Sequence, residues 1–218
     1  MLIKTLTVEN LGLYRGRVEF DLQPRVRGQH ERPIILFGGH NGAGKTTLLE
    51  SIPLCFYGRA SLGDRVKTDD YHQFLYDKIH RANSELFPST EASIQVGFDH
   101  VVMGVAESFV VTRSWETVTG DATGIRERVE IQKDGRPLEE VDENNWEAFL
   151  RGLLPKGLTQ LFFFDGEKIQ RLANDNENAE LSSSVRSLLG LDLVDRLETD
   201  LRVYLNRQVA ATGDKAVR

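Results

Sequence analysis

An α/β fold built on a mixed sheet is what the sequence predicts, and three stretches carry the prediction. Pro33 to Phe37 is a short, continuous apolar run bounded by glycines, as a strand buried on both faces would be. Lys45 to Tyr57 follows with Leu48, Leu49, Ile52 and Phe56 at helical spacing. From Glu91 to the Asp134-Gly135 turn the apolar period changes to two, the pattern of an antiparallel meander.

In chain order, Ile3 to Glu9 reads as a strand, and Gly16 to Leu22 as its hairpin partner because Val18, Phe20 and Leu22 alternate with polar residues. Asn10 to Arg15 is the turn between them, and the polar, basic stretch Arg25 to Arg32 reads as a loop. Pro53 lies inside the Lys45 to Tyr57 helix as a candidate kink. In the meander, Ile94, Val96 and Phe98 are expected on one face and Phe109, Val111 and Trp115 on another, with Ile125, Val129 and Ile131 continuing the pattern. Asp142 to Leu154 returns to helix, with Trp146, Phe149, Leu150 and Leu153 on one side. Leu158 to Phe164 reads as a strand and Asn174 to Glu180 as a polar link. Beyond it Val194, Leu197, Leu201 and Tyr204 recur at three and four residues, a hint of two heptads that a single amphipathic helix explains equally well.

The chain has 218 residues, 40% of them hydrophobic and 28% charged, which suits a globular protein of one or two domains. Its opening, MLIKTLTVEN, contains no long apolar stretch, and runs such as Leu161 to Phe164 are far shorter than a membrane span, so no membrane association and a cytoplasmic location are expected. The single cysteine, Cys55, excludes an intrachain disulfide and reads as a small core residue on the helix. A net charge of −6 opposes long-range attraction to a nucleic-acid backbone, so composition gives no argument for DNA contact.

The stretch joining the expected strand to the helix is the chemically informative one. Gly39-His40-Asn41-Gly42-Ala43-Gly44-Lys45-Thr46 satisfies G-x-x-x-x-G-K-[ST], and it lies between a strand pattern and a helix start. Glycines let successive amide groups turn inward as an anion cradle, and a helix N-terminus adds partial positive charge. Gly39, Asn41, Gly42, Ala43, Gly44, Lys45, Thr46 and Thr47 are thus nucleotide-binding candidates. Lys45, the candidate catalytic residue, would reach the β and γ phosphates, Thr46 would ligate Mg²⁺, and Thr47 would contact the α phosphate of ATP. His40 reads as a solvent-facing spacer.

Hydrolysis also needs a carboxylate near the metal and a group that orients water. Leu161 to Glu167 (LFFFDGE) delivers Asp165 at the end of an apolar run, but Gly166 separates it from Glu167, so the two are not an adjacent catalytic pair. A GTPase is disfavoured because Asp121-Ala122-Thr123-Gly124 lies in a Thr/Gly-rich turn and no N-K-x-D occurs. A small metabolite kinase is disfavoured by the antiparallel meander after the glycine-loop helix.

Taken together, the opening Leu6-Thr7-Val8-Glu9-Asn10-Leu11, the glycine loop near residue 40, the meander and the strand-acid turn before a helical arm resemble the N-terminal lobe of an SMC/ABC-type P-loop ATPase head. That SMC-like group includes RecF, RecN and coiled-coil DNA-repair ATPases. More narrowly, Leu161 to Ile169 (LFFFDGEKI) resembles the corresponding stretch of the DndD family, ATPases of bacterial DNA phosphorothioation systems. The resemblance implies a lobe over residues 1–173 and, over 174–218, a linker and the start of a coiled-coil arm. It places Asp165 at the turn where relatives carry a glutamine near the metal, and makes Arg15 the candidate for adenine contact. It also implies that the signature loop, the acidic pair and the switch histidine belong to a separate C-terminal lobe. Ser182-Ser183-Ser184 lacks the glycines to replace that signature. The expected protein is therefore half of an ATPase head, inactive alone. Its implied partners are its own C-terminal lobe, a second head by homodimerisation, DNA and other phosphorothioation subunits. Alternatives are an SMC-like repair or anti-phage defence ATPase without a sulfur role, a nucleotide sensor without turnover, and a self-sufficient NTPase that uses Asp165.

Overall fold

In the computed structural model, residues 1–27, 30–63, 65–81, 88–102, 104–118, 124–154, 163, 197, 201, 202 and 204 are described. Two antiparallel strands, β1 (Leu2–Leu11) and β2 (Tyr14–Asp21), open the chain as the expected hairpin. The turn is tighter than Asn10 to Arg15: only Gly12 (φ 56°, left-handed) and Leu13 separate the strands, and Asn10 (φ 47°) and Gly16 (φ 64°) are left-handed within the strands on either side. Asn10 Oδ1 also accepts the Gly16 amide at 2.9 Å. The stretch read as a basic loop forms a small ribbon instead, β3 (Arg25–Arg27) paired with β4 (His30–Arg32).

Helix α1 (Lys45–Tyr57) spans the expected residues and runs through Pro53. A 3₁₀ turn at Gly58–Leu62 leads to α2 (Thr68–Lys78). The meander follows as β5 (Glu91–Val102), β6 (Val105–Thr117) and β7 (Ile125–Lys133), with the short β8 (Arg136–Pro137) and α3 (Trp146–Leu153) after it. Asp134 (φ 49°) and Gly135 (φ 74°) make the anticipated turn between β7 and β8.

One six-stranded sheet, ordered β2-β1-β5-β6-β7-β8 and antiparallel at every described pair, organises residues 1–154. The meander corrects one expectation. Phe98 pairs with Phe109 and Val96 with Val111, so the two apolar sets share a single face rather than occupying two. Directly opposed residues of paired strands always lie on the same side of a sheet. That face is the core: Leu6, Val8, Ile94, Val96, Phe98, Phe109, Val111 and Trp115 are buried. Helix α1 lies on it through Phe56, whose ring is 5.4 Å from Phe98, and Cys55, whose thiol donates to Val111 O at 3.5 Å. Helix α2 docks by Trp115 Nε1 donating to Leu75 O (2.9 Å), and α3 by Phe149 against Phe109 (6.0 Å).

A second correction concerns Pro33 to Phe37. This segment, expected as a strand buried on both faces, is outside the sheet, with Ile34 88% and Leu36 91% exposed. An apolar run becomes a buried strand only when neighbouring strands supply hydrogen-bond partners and cover both faces. The described strands do neither here.

Residues 155–218 form a separate compact unit. Leu197, Leu201 and Tyr204 are helical and exposed, while the expected strand Leu158 to Phe164 (apart from Phe163), the polar link and Val194 lie outside the described residues. No described helix is long and apolar enough to cross a membrane.

Candidate functional site: the glycine loop and the start of α1

The loop from Gly38 to Gly44 is exposed up to Gly44, which is buried. Gly42 (φ 79°) and Gly44 (φ 89°) are both left-handed, where side chains with a Cβ are strained, so the two glycines are structural requirements of the bend. Gly39 has a different reason: a Cβ there would come within 3.1 Å of the Ala43 Cβ. Inside the loop Ala43 N–H donates to His40 O (3.1 Å), and the first intrahelical bond of α1 is Leu48 N–H to Gly44 O (3.1 Å). The amides of Lys45, Thr46 and Thr47 precede that bond and so have no partner within the helix.

Among the described residues, nothing local neutralises this helix end. Its N-cap is Gly44, no side chain caps it, and no acidic residue stands in its first turn. Protein helices ordinarily satisfy these amides with a Ser, Thr, Asp or Asn side chain. Here the positive end of the helix faces the loop open to an external acceptor. Lys45 Nζ donates to Gly39 O and His40 O, each at 2.8 Å, which holds the ammonium across the loop mouth. An ammonium has three donors, so one remains for a phosphate oxygen. Thr46 is exposed beside it and Thr47 half-buried. This donor set, without a carboxylate among it, fits the phosphates of a nucleotide and the hydroxyl ligand of its Mg²⁺.

The sequence-predicted residues Gly39, Asn41, Gly42, Ala43, Gly44, Lys45, Thr46 and Thr47 are thus brought together on one loop and one helix turn, with His40 exposed as expected. Arg15 is exposed at the start of β2, next to Tyr14. Asp165 and Glu167 lie outside the described residues. Among the described residues no cluster of three or more His, Cys, Asp or Glu is placed to hold a metal.

Tyr14 is the residue that sequence reasoning missed. Its hydroxyl donates to Gly44 O at 3.2 Å, and its ring atoms stand 2.9–3.0 Å from where a Cβ on Gly44 would be. The neighbouring turn closes on the helix too, since a Cβ on Gly12 would meet Thr47 Cγ2 at 3.2 Å. That turn is fixed from α2: Gly12 N–H donates to Lys78 O (2.7 Å), His80 N–H to Asn10 O (2.6 Å), and His80 Nδ1 lies 2.7 Å from Gly12 O. No motif links residue 14 to residue 44, so only the fold reveals the pair.

At the far end of α1 an ion pair between a buried arginine and a half-buried glutamate anchors the helix to the sheet. Arg113, 1% exposed on β6, donates through Nε to Cys55 O (3.0 Å) and pairs through Nη1 with Glu127 of β7, which also accepts the Tyr71 hydroxyl. Burial works against the Arg113 charge, but the Glu127 carboxylate and then Tyr71 outweigh it and raise the guanidinium pKa. Among the described residues its Nη2 is buried without a partner.

The sequence profile of a family described as an AAA domain matches residues 5–208. Among solved structures, the SMC head domain from Thermotoga maritima is similar at a TM-score of 0.37 and 17% identity, over 64% of this chain and 39% of that one. The chain therefore spans well under half the length of that structure. No curated protein matches.

Proposed function

Because the chain belongs to the AAA domain family of ATPases, we propose that its glycine loop binds ATP-Mg²⁺ and that it works as the N-terminal lobe of an SMC-like ATPase head. The observation that carries this reading is the uncapped amide end of α1, with Lys45 held across the loop that leads into it. The amides from Gly42 to Thr47 would hold the phosphates, Lys45 would reach the β and γ oxygens, and the Thr46 hydroxyl would ligate the metal. When bound, Mg²⁺ supplies the charge neutralisation that phosphoryl transfer requires. Thr47 is assigned to the α phosphate, Arg15 to the adenine and Asp165 to the metal's surroundings. Lys45 stabilises charge that develops on the transferred phosphoryl group.

Hydrolysis needs a water-orienting acid, and we assign it to a second lobe. The exposed Ile34 and Leu36 support that assignment, since apolar side chains on the segment feeding the glycine loop are a surface suited to being covered. Two such heads would clamp nucleotide between them, and the resulting cycle would act on DNA with phosphorothioation partners in the cytoplasm. The sulfur role rests on the likeness of Leu161 to Ile169 to the DndD family.

Lys45→Ala should weaken ATP-Mg²⁺ binding by at least about tenfold, because a charge-assisted contact is lost. Titration calorimetry measures it, and undiminished affinity would refute the assignment. DNA from cells lacking the gene should contain no phosphorothioate; retention of the modification would leave an SMC-like ATPase without a sulfur role.

A further inference from the structure

Two ends of the glycine loop are tied to the same edge strand by aromatic side chains. Phe37 immediately precedes the loop, and its ring lies 5.7 Å from that of Phe20 on β2. Phe20 in turn meets Tyr14 edge-on, at 5.9 Å and 87°. At the loop exit the Tyr14 hydroxyl donates to Gly44 O, the carbonyl that also accepts the Leu48 amide. Entry, strand and exit thus form one chain of contacts, Phe37 to Phe20 to Tyr14 to Gly44.

We propose that Tyr14 is a positioning residue for nucleotide binding: its hydroxyl and ring fix the Gly44 peptide, and with Phe20 and Phe37 it sets the direction in which the first amides of α1 point. The proposal rests on the reading of the loop as a nucleotide site. Its physical basis is that a left-handed glycine has no side chain to hold its own conformation. Gly44 is confined instead from outside, by a ring close enough that a Cβ would fit only if the ring moved. The tyrosine is itself confined, because β2 is joined to β1 by a turn that hydrogen-bonds to Lys78 and His80. The hydroxyl is a protonated donor at neutral pH, since burial raises its pKa above the ordinary range. Amides aimed at an anion before it arrives need no reorganisation when it binds, and loosening them weakens binding without any direct contact being lost.

The test compares the whole chain with its Tyr14→Phe and Tyr14→Leu variants, by amide exchange without nucleotide and by titration with ATP-Mg²⁺. Tyr14→Phe removes only the hydroxyl and should fold. Exchange at Leu48 should quicken in both variants, more in Tyr14→Leu, while exchange at Val96 and Val111 in the sheet stays as it was. A merely structural role would instead quicken all of these amides together. ATP dissociation constants should rise by about three- to tenfold for Tyr14→Phe, the effect of one hydrogen bond, and further for Tyr14→Leu. Unchanged Leu48 exchange overturns the proposal, and so does undiminished affinity in a variant of a protein that binds ATP. If the unaltered chain does not bind ATP, the nucleotide reading fails first, and Leu48 exchange alone then decides whether Tyr14 sets the loop.

Discussion

Cys55 shows how completely one position can be decided by its surroundings. Its thiol sits between α1 and the sheet, within reach of Ile94 O and Val111 O, and burial pushes its pKa up to about 12 despite the nearby Arg113 charge. A neutral, enclosed thiol is a poor nucleophile. Iodoacetamide at pH 8 should leave it unmodified in the folded protein and alkylate it in urea; modification of the native state at the unfolded rate would contradict the packing. The same shift has a stability consequence. A group that holds its proton more tightly when folded contributes stability that is present below its unfolded pKa and is lost as pH rises towards its folded pKa. Tyr57 and Tyr71 are also raised by burial, so all three act in one direction. The urea midpoint should fall steadily from about pH 9 towards pH 12, and a flat profile to pH 11 would disprove this. Gly58 is a fourth instructive residue. It has φ 50°, and a Cβ there would lie 2.6 Å from Arg113 Nη1. Gly58→Ala should therefore cost about 1–3 kcal/mol, read from chemical denaturation.

At the scale of elements, the ion pair between β6 and β7 fastens both the last turn of α1 and the face of α2. Arg113 does this with a planar fork that reaches a carbonyl and a carboxylate at once, a geometry that a lysine ammonium does not reproduce. Arg113→Leu should destabilise by about 3–5 kcal/mol, because Glu127 and Cys55 O lose their donor. Arg113→Leu combined with Glu127→Leu should cost less than the Arg113 change alone, since no carboxylate is left behind unpaired. A double-mutant cycle by urea denaturation measures the difference, and simple additivity would show that the pair is not coupled. The elements differ in how far local pattern announces them. Helix α1 and the meander strands follow their apolar spacing. Helix α2 has its own signal in Tyr71, Phe74 and Leu75 behind Asp69 and Asp70 in the first turn, a combination outweighed by the polar residues around it. The β3-β4 ribbon has no apolar alternation and is held by backbone pairing.

On the scale of the molecule, residues 1–154 leave one surface that does not look finished. Ile34 and Leu36 project from the segment that enters the glycine loop. Isolated apolar residues on a surface are ordinary, but here they stand in a run beside the candidate site. The chain should therefore self-associate at high concentration, and Ile34→Glu with Leu36→Glu should reduce it in sedimentation velocity. Exposed substitutions of this kind should alter unfolding stability by less than about 0.5 kcal/mol. A large loss of stability would mean that the segment is covered after all.

The sequence alone determined which residue types make up the loop and the extent of its helix. G-x-x-x-x-G-K-T confines glycine, lysine and threonine to eight consecutive positions, and the helix spacing begins at that lysine. Local spacing also determined that β5, β6 and β7 exist. Only the tertiary structure decided that their apolar residues share one face, that Ile34 and Leu36 stay uncovered, and that Tyr14 closes on Gly44. These depend on strand register and on contacts between residues 30 or 58 positions apart, such as Tyr14 with Gly44 and Arg113 with Cys55. Periodicity specifies which side of an element is apolar; what meets that side is set by how distant segments pair, and a shift of one residue in a strand reverses it.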